Sequence, residues 1–153
     1  ADWQLRRLHR IAPWLELGFD VHYYVDWRQP DDTIDPRVPP FKKGVYGYWD
    51  DYILASELHW DIVEYLTERC ETLVDMVPYA TTFYIDHKMI AQSLDHGFNW
   101  VTTLQRFDVT LDAWTLDVGN PVAETNALRL WAAGVHQFTT NTPRELANLL
   151  AQG

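Results

Sequence analysis

The last third of the chain limits the possible folds more than anything before it. Residues 109–117, "VTLDAWTLD", have strand character and give way at Asn120-Pro121 to a helical stretch carrying Leu128, Leu130 and Trp131. Gly134 closes that stretch, "VHQFTT" follows as a second strand, and Thr142-Pro143-Arg144-Glu145 opens a last helix. Proline suits a first helical position, Thr142 is placed to cap the helix, and Glu145 to reach back to the cap. Parallel strands can be joined only by a crossover long enough to return to the same end of the sheet. Strand, helix, strand, helix with short connections is therefore the pattern of a parallel sheet with helices outside it. The expected fold is α/β with few strands.

Upstream, Trp3, Leu5, Leu8, Ile11 and Ala12 recur at helical spacing until Pro13 ends the pattern. "WLELGFDVHYYVDW" then switches to period two, with Leu15, Leu17, Phe19, Val21, Tyr23, Val25 and Trp27 on one side. Residues 29–48, rich in proline and aspartate, read as a long inserted loop. A helix is expected from about Asp50 to Asp75, stopped by Pro78, with Leu54, Leu58, Ile62, Leu66 and Leu73 as its stripe. "FYIDHKMIAQSLDHG" reads as a short helix broken by Gly97, and "FNWVTTLQRF" as another capped by Asn99. No internal boundary or repeat divides the chain, so residues 1–153 are expected to form a single domain.

Composition narrows the partners. A formal charge of −10 with no Lys/Arg run argues against a nucleic-acid phosphate backbone. No apolar run approaches a membrane span. Compartment stays open, with a soluble, cytoplasmic protein slightly favoured. One cysteine, Cys70, excludes an internal disulfide. Eight Trp and eight Tyr are many for 153 residues, and most are expected in the core, because their rings bury large areas for one polar partner.

The order of elements from Trp114 onward resembles the end of glycerophosphodiester phosphodiesterases. The matching residues are Trp114, Thr115 and Asp117, then Gly134, Val135, Thr140, Asn141 and Pro143, with Asn141 standing where many relatives carry Asp. "LRRLHRIAPWLELGF" resembles the fifth helix and sixth strand of the same enzymes. The resemblance implies the C-terminal portion, about strands 6–8 with their helices, of a TIM (β/α)8 barrel. Such a barrel takes roughly 250 residues, so the domain is expected to be incomplete. It would be completed by a missing N-terminal half or by self-association, because an open three-stranded piece exposes its inner face and two parallel edges.

The resemblance further implies hydrolysis of a glycerophosphodiester to glycerol 3-phosphate and an alcohol, with a divalent cation, Mg²⁺ or Ca²⁺. The family's His-Arg pair, its Glu-x-Asp ligands, its second His and a further Glu lie on the first half of its barrel. This chain has no His-Arg-Gly and no Glu-x-Asp, and its only His-Arg pair, His9-Arg10, falls within a helical pattern. No catalytic or metal-binding residue is therefore expected in this chain, which alone is expected to be inactive. The alternative is a non-catalytic truncated barrel that oligomerises or binds a small polar ligand.

In a barrel, function gathers at the C-terminal ends of the strands. That makes Trp114, Asp117 and Phe19 the candidates for substrate binding. Trp114 reads as a wall of the pocket or as a packing residue of the core. Asp117 reads as a polar contact to substrate or as a residue of helix entry. Asp20, His22 and Asp26 share one strand face, but they are too spread along it to hold one cation, and a solvated face is the simpler reading.

Overall fold

The computed structural model describes residues 2–21, 24–25 and 61–152. Its centre is a four-stranded, wholly parallel sheet in the order β1-β2-β3-β4: Leu17–Asp20, Ala80–Asp86, Thr110–Trp114 and Gln137–Phe138. The helices are α1 (Asp2–Ile11), α2 (Ile62–Met76), α3 (His87–Asp95), α4 (Trp100–Leu104), α5 (Pro121–Ala132) and α6 (Pro143–Leu150). The α/β class read from the sequence is what forms, with every strand in chain order beside its predecessor.

Several of the sequence expectations need correction. The stretch beginning "FYID" is not helical at its start: Ala80–Asp86 is a strand, and the helix begins only at His87. Phe83 and Ile85 alternate into the core, whereas a helix would have turned them to different sides. The sheet thus has one more strand than the three expected. Among the described residues of the long period-two run, Leu17–Asp20 is strand, and Val21 and Val25 beyond it are also buried. Residues 22–23 and 26–60 lie outside the described residues, and with them the Pro/Asp-rich stretch at 29–48; the helix expected from about Asp50 instead starts at Ile62, where Asp61 is extended and caps it.

Local chemistry explains the helix starts. The carboxylate of Asp61 accepts the amides of Val63 and Glu64 to open α2. Asn99 does the same for Val101 and Thr102 in α4, and Asn120 for Val122 and Ala123 in α5, as their sequence positions predict. Asp86 both ends β2 and caps α3, accepting the Lys88 amide at 2.7 Å, so strand passes to helix with no intervening residue. Gly97, at φ +86°, takes the left-handed turn after α3 that a side chain would resist. Thr142 departs from expectation: its hydroxyl does not cap α6, because it accepts the Val118 amide at 2.8 Å from the loop after β3.

One face of the sheet carries the core. Phe83, Ile85, Leu111 and Ala113 are buried there with Leu66, Leu73, Met89, Ile90, Trp100, Leu104, Ala127 and Leu130 from the helices. Each large side chain so buried contributes about 1.5–3 kcal/mol. Trp100 sits at the bottom of this layer with its indole N–H donating 2.9 Å to Ser93 Oγ, which in turn donates to the Met89 carbonyl. The first helix behaves differently: α1 has no buried residue, and Trp3, Ile11 and Trp14 are 58%, 66% and 80% exposed.

Candidate functional site

The other face of the sheet is polar and aromatic. Side chains alternate along a strand, and register partners in neighbouring strands point to the same side. Opposite the core face, one row therefore runs Asp20–Tyr84–Asp112–Gln137, flanked by Gly18–Thr82–Thr110 before it and by Asp86–Trp114 after it. Thr82 and Thr110 share a hydroxyl–hydroxyl hydrogen bond of 2.9 Å. Gly18 is required by a close approach: a Cβ at that position would run into the ring of Tyr84. The missing side chain on β1 lets the tyrosine lie across it.

At the C-terminal ends of the strands this face opens into a shallow cleft of about 290 Å³, lined by Asp20, Tyr84, Trp114, Thr115 and Thr139. Trp114, the last residue of β3, thus stands in the cleft wall. Phe19 does not: it is 3% exposed on the core face, edge-on to Phe83 at 6.0 Å. Alternation gives the cleft its neighbour Asp20 instead. Tyr84 falls in the stretch that reads as helix from the sequence; the β-branched and aromatic run "TTFYI" is the signal for a strand there.

Asp117 is held by the loop that follows β4. Its carboxylate accepts from Thr140 Oγ1, from the Asn141 amide at 2.7 Å and from Asn141 Nδ2 at 2.9 Å. The side-chain hydrogen bond from Asn141 comes first among the contacts that hold its carboxyl below the usual range. This bracing role ties the exits of β3 and β4 together, and with them Thr115 and Thr139.

Asp112 is a second acid that the sequence did not single out. It is 2% exposed, accepts 2.9 Å from Thr139 Oγ1, and shares the row of Asp20 and Tyr84, which line the cleft. Burial pushes its carboxyl up, opposed by hydrogen bonds from Thr139 and Gln137. His87, also buried, receives a 2.9 Å contact at Nδ1 from Asn126 Nδ2, and burial lowers its pKa.

Among the described residues no three His, Cys, Asp or Glu side chains converge where a cation would sit. His22 and Asp26 lie outside the described residues, and with them the Asp20–His22–Asp26 face. Cys70 is buried in α2, and burial raises its thiol to about 12, which removes the thiolate a nucleophile needs. No helix among the described residues is long and apolar enough to cross a membrane. No family model matches the chain, and neither does any curated protein or solved structure.

Proposed function

We propose that the chain is the C-terminal segment of a phosphoric diester hydrolase of the glycerophosphodiester phosphodiesterase type, supplying barrel closure and one wall of the substrate pocket. The observation that carries this reading is the cleft at the C-terminal strand ends, with Trp114 of the resembling "WT" pair in its wall. The sheet supports it. A doubly wound sheet reverses its strand order and covers both faces with helices. Here the order β1-β2-β3-β4 runs one way, and the helices in the core cluster pack on one face. An arc of a (β/α)8 barrel has both properties. Four parallel strands lie among the described residues, and in this reading another segment or a second copy supplies the rest of the barrel.

In this reading the residues of the chain bind and orient. Trp114 covers the carbon skeleton of the substrate and keeps water from it. The hydroxyls of Thr115 and Thr139 offer hydrogen bonds, and Asp117 keeps the two strand exits that carry them in step. The acid–base groups and the ligands of the divalent cation would belong to the other half of the barrel, as the resemblance implies.

The test has two arms. The reading frame upstream of Ala1 should encode a His-Arg pair and a Glu-x-Asp motif, and the longer product should hydrolyse glycerophosphocholine while the 153-residue chain does not. An upstream frame without those motifs, or turnover by the 153-residue chain itself, would overturn the proposal. The second reading, a non-catalytic barrel piece that associates, draws on the apolar surface of Trp3, Ile11 and Trp14.

A further inference from the structure

Helix α1 turns a cationic and apolar arc away from the sheet. Successive residues of a helix are about 100° apart, so Leu5 and His9 share one side of α1, with Asp2 beside them. These are its half-buried residues, and His9 stacks on Tyr79 at 4.8 Å. On the opposite side Trp3, Arg7 and Ile11 follow at four-residue intervals, about 40° apart, with Arg10 next to Trp3. All four are exposed. Just past the helix the Leu15 amide donates to the Ala12 carbonyl at 3.1 Å, and this turn leaves Trp14 and Leu15 exposed as well.

The arc stays outward however the sheet is completed. Strands and helices added beside β1 extend the two layers sideways, and in a barrel the helices form the outer ring. Its charge is opposite to that of the chain. Residues 2–11 hold three of the twelve Lys and Arg and one carboxylate, in a chain of formal charge −10. That carboxylate, Asp2, pairs with Arg6 at 2.8 Å, and the next along the chain is Glu16, beyond the turn. Among the described residues no carboxylate lies within ion-pair distance of Arg7 or Arg10. Salt screens charge beyond about 8 Å at physiological ionic strength. A surface that touches α1 therefore meets these arginines rather than the charge of the whole chain.

From this we infer that α1 and the turn after it adsorb to an anionic lipid bilayer, lying in the plane of its headgroups. Trp3, Ile11 and Trp14 enter the boundary between headgroups and acyl chains, where indole rings are enriched. Arg7 and Arg10 pair with lipid phosphates, and their charge selects anionic lipid over zwitterionic. An acidic protein surface satisfies the arginines alone, whereas a bilayer also takes the three apolar side chains out of water. Two copies of α1 facing each other would set arginine against arginine. The contact is adsorption, since no helix among the described residues is long and apolar enough to cross a membrane. It does not depend on the diesterase reading, which rests on the strand ends.

The experiment is co-sedimentation of the full chain with two kinds of vesicle, phosphatidylcholine alone and phosphatidylcholine mixed with phosphatidylglycerol. Tryptophan quenching by brominated lipid is the second readout. Binding should need the anionic lipid and weaken as salt is raised. Arg7→Gln and Arg10→Gln should each weaken it roughly fivefold, while Arg144→Gln, an exposed change on α6, should leave it unaltered. Ile11→Ser and Trp14→Ser should each weaken it roughly tenfold. Trp14→Phe should keep most of the binding and lose part of the quenching. Circular dichroism should match wild type throughout, because all of these side chains are exposed. In lipid-free solution the same apolar side chains leave water against another copy, so anionic vesicles should also reduce self-association. No binding to the mixed vesicles, equal binding to both kinds, or binding indifferent to Arg7 and Arg10 would overturn the inference. Self-association that anionic vesicles do not relieve would overturn it too, and would give the face to a second copy. Diester turnover by the longer product, or its absence, bears on the diesterase reading alone.

Discussion

Asp117, just past β3, and Asn141, just past β4, are joined by two hydrogen bonds, one from the Asn141 amide at 2.7 Å and one from its side chain at 2.9 Å. The pair links the loop after β3 to the loop after β4. Asp117→Ala should therefore lower the melting temperature. The folded-state pKa of Asp117 lies below its ordinary value, so its contribution is complete above the ordinary carboxylate range and fades as pH falls through the lowered value. Melting curves of the two proteins should differ at neutral pH and converge in acid. A difference that is constant with pH would count against the charge-dependent bracing.

The Trp100 indole depends on Ser93, since both are fully buried. Ser93→Ala leaves the N–H without its acceptor and should cost roughly 1–3 kcal/mol in denaturant unfolding. Adding Trp100→Phe should cost less than the two single changes predict, because the second removes the donor that the first stranded. Strict additivity would mean that the hydrogen bond carries no share of the stability.

His87 gives the fold an acid-sensitive point. Its folded-state pKa is depressed by burial, so folding is unaffected above the ordinary histidine value and loses stability as pH drops below it. His87→Gln should flatten the stability profile between about pH 7 and 5. The same profile in wild type and variant would show that the ring is not held neutral.

Exposed apolar side chains on and just after α1 favour self-association over a lone monomer. Trp14 is 80% exposed and Ile11 66%, both near β1 at the edge of the described sheet. Light scattering of the purified 153-residue chain should detect self-association that grows with concentration. A sharp monomer peak with a cooperative melt would contradict that expectation.

Much of the fold is legible because its signals are local. Asn99, Asn120 and Gly97 act where the sequence places them, since capping needs only a side chain within a few residues. Strand β3 and the helix after it fall within a few residues of their expected bounds. Strand β2 was hidden for a physical reason: it runs directly into α3, so Phe83 and Ile85 merge with Met89 and Ile90 into one apolar stretch. Thr142 misled in another way. Its neighbours advertise a capping box, and its hydroxyl is claimed by Val118, twenty-four residues earlier, which only the tertiary structure can reveal. Of the site, Trp114 could be read from its strand position, whereas Tyr84 and Asp112 required the register of the sheet.

The junction at Asp86 sets how this surface can change. Strand exits that open into loops can be lengthened without disturbing what lies behind them. At β2 no such freedom exists, because Asp86 is the strand's last residue and the cap of the helix. One residue inserted there would turn α3 by about 100° and swing Met89 and Ile90 out of the core. Variation in ligand preference should therefore come from Gly18, Asp20 and the β3 and β4 exits, with Tyr84 standing on a fixed post between them.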